Sequence, residues 1–114
     1  MQWTLLFVGH DLHEAERMRR LLPLRVGVAH SPSLALPELA AADAVLLEDR
    51  GWPAAEEAAL GEMRELSASR RLALILSRRR GERGDALGLP VVERPCRIEE
   101  IADAIGLALM RKRR

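Results

Sequence analysis

Two hydrophobic rhythms take turns along this chain. Short apolar runs of strand length stand at Trp3–Val8, Arg25–Ala29, Asp43–Asp49, Leu72–Leu76 and Val91–Val92. An unbroken run such as Leu5-Leu6-Phe7-Val8 is what a strand buried on both faces carries. Between the runs, apolar residues recur at three- and four-residue steps. Asp11 offers an N-cap to a first helix whose stripe is Leu12, Ala15, Met18, Leu21 and Leu22, with Pro23 closing it. A second helix opens at Ser31-Pro32 or Ser33 and reaches about Ala42, with Pro37 confined to its early part or kinking it. A third covers Ala54–Ser69 on Ala55, Ala58, Ala59, Met63 and Leu66. The last covers Ile98–Met110 on Ile98, Ile101, Ala102, Ile105 and Leu109. Only Arg78–Leu89 connects the fourth and fifth strands. Gly81, Gly84 and Gly88 interrupt it, so the helix there is expected to be shortened or missing. Such alternation predicts an α/β fold: a doubly wound five-stranded parallel sheet with helices on both faces. One domain is expected over residues 1–110, with a basic tail at 111–114.

Composition narrows the classes. With 114 residues the chain is one domain in size, and Trp3, Phe7 and Trp52 are its only aromatics. The core must be aliphatic. Eighteen Lys and Arg against 17 Asp and Glu give a net charge of +1, which argues against a dedicated nucleic-acid binder. The single cysteine, Cys96, excludes an internal disulfide, fits a reducing compartment, and reads as a small buried apolar residue. No signal peptide and no apolar run of about 18 residues is present, so the expectation is a cytoplasmic protein without a membrane span. Dinucleotide fingerprint, P-loop and nucleophile elbow are all absent. His10 and His13 have no acidic or thiol companions at a metal-binding spacing. The arginines of Arg78–Arg83 read as a solvated loop. Those of Arg111–Arg114 suit the negative end of a helix dipole.

Four stretches carry a resemblance. They are Phe7-Val8-Gly9-His10-Asp11, the strand Asp43–Glu48, Leu74-Ile75-Leu76-Ser77, and Glu93-Arg94-Pro95-Cys96 leading into Ile98-Glu99-Glu100-Ile101. In order and spacing they resemble the bacterial response-regulator receiver domain, in degenerate form. The resemblance implies the flavodoxin-like strand order 2-1-3-4-5. It also implies a phospho-accepting carboxylate after the third strand, a hydroxyl after the fourth, a lysine before the proline, and two acids after the first strand for Mg²⁺. The chain departs from that pattern. Gly9 and His10 stand where the acids belong, and neither is a good ligand for a hard, octahedral ion. The lysine is Arg94. Counting from Asp43 puts Glu48 at the acceptor position, while counting back from Pro53 puts Asp49 there; both stay open.

The degenerate phospho-acceptor site is therefore expected at Glu48, Asp49, Ser77, Arg94 and His10, with no catalytic residue, metal or cofactor. Arg94 and Ser77 should be drawn toward the acid, and Arg94→Ala should cost more stability than Glu48→Gln. The function this implies is a phosphorylation-independent module that docks a partner protein or itself in bacterial signalling. The chain stops soon after the last helix, so it would act alone or as one domain of a longer protein. The alternatives are a flavodoxin-like enzyme or small-molecule binder using the crevice at the strand ends, and, more weakly, nucleic-acid binding through Arg78–Arg83 and the tail.

Overall fold

Strands with apolar residues on both faces pair with one another and need helices on both sides. The computed structural model, which describes residues 2–82 and 88–113, has that form. Its strands are β1 (Thr4–Val8), β2 (Arg25–Ala29), β3 (Ala44–Glu48), β4 (Ala73–Arg79) and β5 (Val91–Arg94). All neighbours run parallel in the order β2-β1-β3-β4-β5. The helices are α1 (Leu12–Leu21), α2 (Pro32–Ala35), α3 (Glu57–Ala68) and α4 (Ile98–Arg113). Among the described residues no helix is long and apolar enough to cross a membrane.

Period-two alternation divides the core into two layers. Leu5, Phe7, Leu46, Ile75 and Val92 face Ala15 and Met18 of α1 and Ile101 and Ile105 of α4. Leu6, Val8, Val45, Leu47 and Leu74 face Ala35 of α2, Leu39, and Leu60 and Met63 of α3. Register does the rest. Val8 lies opposite Leu47 and Glu48 opposite Ser77, so the polar residues after β1 and at the ends of β3 and β4 collect at one edge.

Several expected boundaries move. Pro37 has no N–H to give an α-helix, so α2 stops at Ala35 and the chain tightens into a 3-10 helix at Leu36–Ala41. A 3-10 turn at Ala54–Glu56 also precedes α3 and resets its phase, leaving Ala55 and Ala58 exposed while Leu60 is buried. In α1 the stripe is Ala15, Met18 and Leu22; Leu12 and Leu21 are exposed, because at about 100° per residue Leu22, and not Leu21, lines up with Ala15. Ala108, and not Ala102, is buried on α4. That helix continues to Arg113, so the expected tail is mostly helical. β4 runs two residues past Ser77 because Arg78 and Arg79 pair with Glu93 and Arg94. In the β4–β5 crossover Arg80–Glu82 and Gly88–Pro90 hold no helix, and the expectation for Arg83–Leu87 lies outside the described residues.

Phe7, the only phenylalanine, is 0% exposed in the middle of β1. Phe7→Ala should cost about 3–5 kcal/mol, whereas Leu34→Ala, at a side chain 62% exposed, should stay within about 0.5 kcal/mol. Urea melts of the two variants check this ranking.

Candidate functional site

The site begins with a glycine. Gly9 follows β1 and donates its N–H to Ala29 O at 3.0 Å, and the Glu48 side chain lies directly over its Cα. A Cβ built on Gly9 would stand 2.4 Å from Glu48 Cδ, 2.5 Å from Cγ and 2.7 Å from Oε1. Without a side chain at residue 9, the carboxylate reaches the backbone beyond it. Oε1 accepts from His10 N–H at 2.9 Å and Oε2 from Asp11 N–H at 3.2 Å. Glu48 is only 3% exposed, and those amides let its charge be buried.

Cations close the site from outside. Arg94 Nη1 lies 3.5 Å from Glu48 Oε2 and 3.9 Å from Asp11 Oδ2, and Arg50 Nη1 lies 3.8 Å from Glu48 Oε1. These distances are at or beyond the hydrogen-bond limit, so the arginines act on the carboxylate chiefly as neighbouring charge. Arg50 Nη1 is also 2.6 Å from His10 Nδ1, an arrangement that needs Nδ1 unprotonated. The His10 ring stands edge-on to Trp52 at 5.4 Å, and Trp52 Nε1–H donates to Glu48 O at 2.9 Å. The loop after β3 is thus pinned back onto the strand that holds the acid. Asp11 meanwhile caps α1, its Oδ1 accepting from Glu14 N–H at 3.0 Å.

Adjacent strand residues point apart. Glu48 turns inward, while Asp49 turns to the other side, where its Oδ2 meets Arg78 Nε at 2.8 Å and Nη2 at 2.6 Å. Ser77 is buried opposite Glu48, but its hydroxyl makes no hydrogen bond to the carboxylate, contrary to the expectation that it would be drawn in. Of the expected residues, Glu48, Arg94 and the His10 backbone come together, Ser77 lies beside Glu48 on the next strand without a hydrogen bond to its carboxylate, and Asp49 belongs to a separate ion pair. Arg50, Trp52 and Arg78 were not singled out as site residues, and loop arginines carry no pattern that would mark them. An open cavity of about 430 Å³ above the carboxylate is lined by His10, Asp11, Glu48, Asp49, Arg50, Gly51, Arg79, Glu82 and Arg94. Cys96 lies just beyond, its carbonyl accepting from Arg17 Nη1 at 2.9 Å. Burial pushes its thiol up, Glu14 adds to that and Arg17 opposes it, which is not the setting of an activated nucleophile.

The same architecture is found in solved structures. A response-regulator receiver domain protein from Clostridium thermocellum superposes with a TM-score of 0.75 at 17% identity, covering 97% of each chain. The signal receiver domain of an HD domain-containing protein from Pseudomonas fluorescens gives 0.74 at 20% identity, covering 99% of this chain and 98% of that one. The fold is that of a receiver domain. A sensor protein from Polaromonas gives 0.76 at 15% identity over 98% of this chain and 99% of that one. No family model and no curated protein sequence matches the chain.

The receiver fold implies Mg²⁺ beside the acceptor strand, and the donors here do not suit it. Gly9 offers no oxygen, both Glu48 oxygens are engaged by backbone N–H groups, and two guanidinium groups already stand within 4 Å. Among the described residues no three of His, Cys, Asp and Glu are grouped to hold a metal.

Two predictions follow from this packing. Gly9→Ala should destabilise by about 1–3 kcal/mol, because the methyl drives Glu48 off its amides. In a Glu48→Ala background the same substitution should cost much less, and additive chemical-denaturation energies would refute the coupling. The geometry argues for the opposite of the expected order of Arg94→Ala and Glu48→Gln. A glutamine amide must point its NH₂ at a backbone N–H, costing about 1–3 kcal/mol, while losing Arg94 leaves both amide bonds intact and should cost less. Thermal melts of the two variants rank them.

Proposed function

We propose that this domain is a receiver-like interaction module of bacterial signalling, cytoplasmic, which docks a partner protein or a second copy without phosphorylation and without catalysis. One observation supports this above the rest: the Glu48 carboxylate rests on Gly9, bonded to the amides of His10 and Asp11. In a phosphorylated receiver this edge gains an anion and a metal to balance it. Here the anion belongs to the chain and Arg94 and Arg50 balance it. Glu48 stands in for the acceptor, and its carboxylate is part of the chain and not added by a donor. The edge needs no donor to complete it, so its neighbours keep one arrangement, and a partner reads the same surface with or without phosphorylation.

The test is intact-mass spectrometry after incubation with Mg²⁺ and acetyl phosphate. No mass increase of one phosphoryl group is expected. Chemical crosslinking in extract of the source cells should capture the same partners in the same yield with and without the donor. A base-labile phosphoryl adduct, or capture that depends on the donor, would refute the reading.

A further inference from the structure

We infer that the domain has a second ligand site, independent of Glu48, for a small amphipathic anion: an apolar or aromatic body bearing a carboxylate, sulfonate or phosphate. A cavity of about 520 Å³ opens at the start of β4, between the C-terminal turns of α3 and α4. Its walls include Leu72, Leu74, Leu89 and Ala108, and its rim carries Arg64, Arg70, Arg111 and Lys112. Small-molecule sites run to about 300–1,000 Å³, mostly apolar with a few convergent polar groups. A stable protein interface needs about 20–30 residues a side, so a cavity of this extent fits a small molecule better than a protein.

Charge sets the ligand's sign. The chain is nearly neutral, with 18 basic and 17 acidic residues. At the Glu48 edge Arg50, Arg78 and Arg94 each lie within 4 Å of a carboxylate. Around this cavity none of the four cations does, among the described residues, and none of the described lining residues is acidic. Arg111 Nη1 donates to Gly88 O at 2.9 Å and Lys112 Nζ to Asp43 O at 3.4 Å, and both acceptors are carbonyls, not carboxylates. Those two sit in the last turn of α4, where the helix dipole favours cations. Arg64 has no such reason, being midway along α3. Arg70 lies beyond α3 at φ 62, a left-handed position that suits glycine better than arginine. A guanidinium pairs well with a carboxylate, sulfonate or phosphate, and the leucines offer an apolar seat for the rest of the molecule.

The experiment is a fluorescence titration of the full chain with anilinonaphthalene sulfonate, an aromatic anion, beside its neutral relative N-phenylnaphthylamine. Saturable binding of one sulfonate dye per chain is expected, with the neutral amine about tenfold weaker or worse. Arg64→Glu combined with Arg70→Glu, and separately Arg111→Glu, should each weaken the dye about tenfold, while Glu48→Gln leaves it unchanged. All these variants should be confirmed as folded by circular dichroism; Arg64, Arg70 and Arg111 are exposed, so their reversal should leave the core intact. No saturable binding, equal binding of the neutral amine, or insensitivity to the charge reversals would overturn the site. Loss of dye on Glu48→Gln would overturn its independence.

Discussion

A buried carboxylate must find donors, and the ones Glu48 uses are backbone amides that only a glycine leaves open. Gly9 has no Cβ, so Glu48 folds back over it to the N–H groups of His10 and Asp11. Those two amides begin the turn into α1, so the acid at the end of β3 also holds the approach to the next element. The contact organises the loop after β3 as well. The Glu48 carbonyl takes Trp52 Nε1–H, and Trp52 backs the His10 ring. Three consecutive residues after β1 and four after β3 therefore share one anchor.

The electrostatics of this edge work in two layers. Direct hydrogen bonds come from the backbone, whose donors cannot be titrated or swung away. The arginines stand slightly further off and neutralise the field without fixing the geometry. Asp49 is kept out of this balance by its own partner, Arg78, on the other side of the strand. Two adjacent acids at the rim of one cavity are thus each balanced separately, because the strand's alternation turns them apart and each meets its own cation. Arg78 reaches Asp49 because β4 continues past Ser77 and carries it there.

Much of the architecture was legible in the sequence. The five apolar runs became five strands, and Arg25–Ala29 matches its strand residue for residue, because unbroken apolar runs between turn signals have few other solutions. Helix phase was less legible. Ala55 and Leu21 fit a stripe on paper, but a 3-10 turn or one residue of drift rotates them into solvent, and composition does not report a shift of about 100°. At the site, Glu48 and Arg94 were readable from order along the strands, whereas the choice between Glu48 and Asp49 depended on which face each presents. The Ser77 hydroxyl was expected to help because it lies beside the acid. It does not: the carboxylate is held by the His10 and Asp11 amides, and no hydrogen bond joins it to the Ser77 hydroxyl.

Gly9 reads differently once its neighbour is known. Taken alone it is a missing metal ligand; in the fold it is the space a glutamate occupies. The two positions cannot be altered independently. Any side chain at residue 9 collides with Glu48, so an acid cannot be restored there while the glutamate keeps its pose. Shortening Glu48 alone pulls its charge back from the His10 and Asp11 amides and leaves buried donors unpaired, with still no acid at residue 9 to bind a metal. On the reading proposed above, the absent metal pocket and the built-in carboxylate are therefore one feature. A route back to phosphoryl chemistry would have to change both strand ends together, passing through intermediates that are less stable and no more reactive.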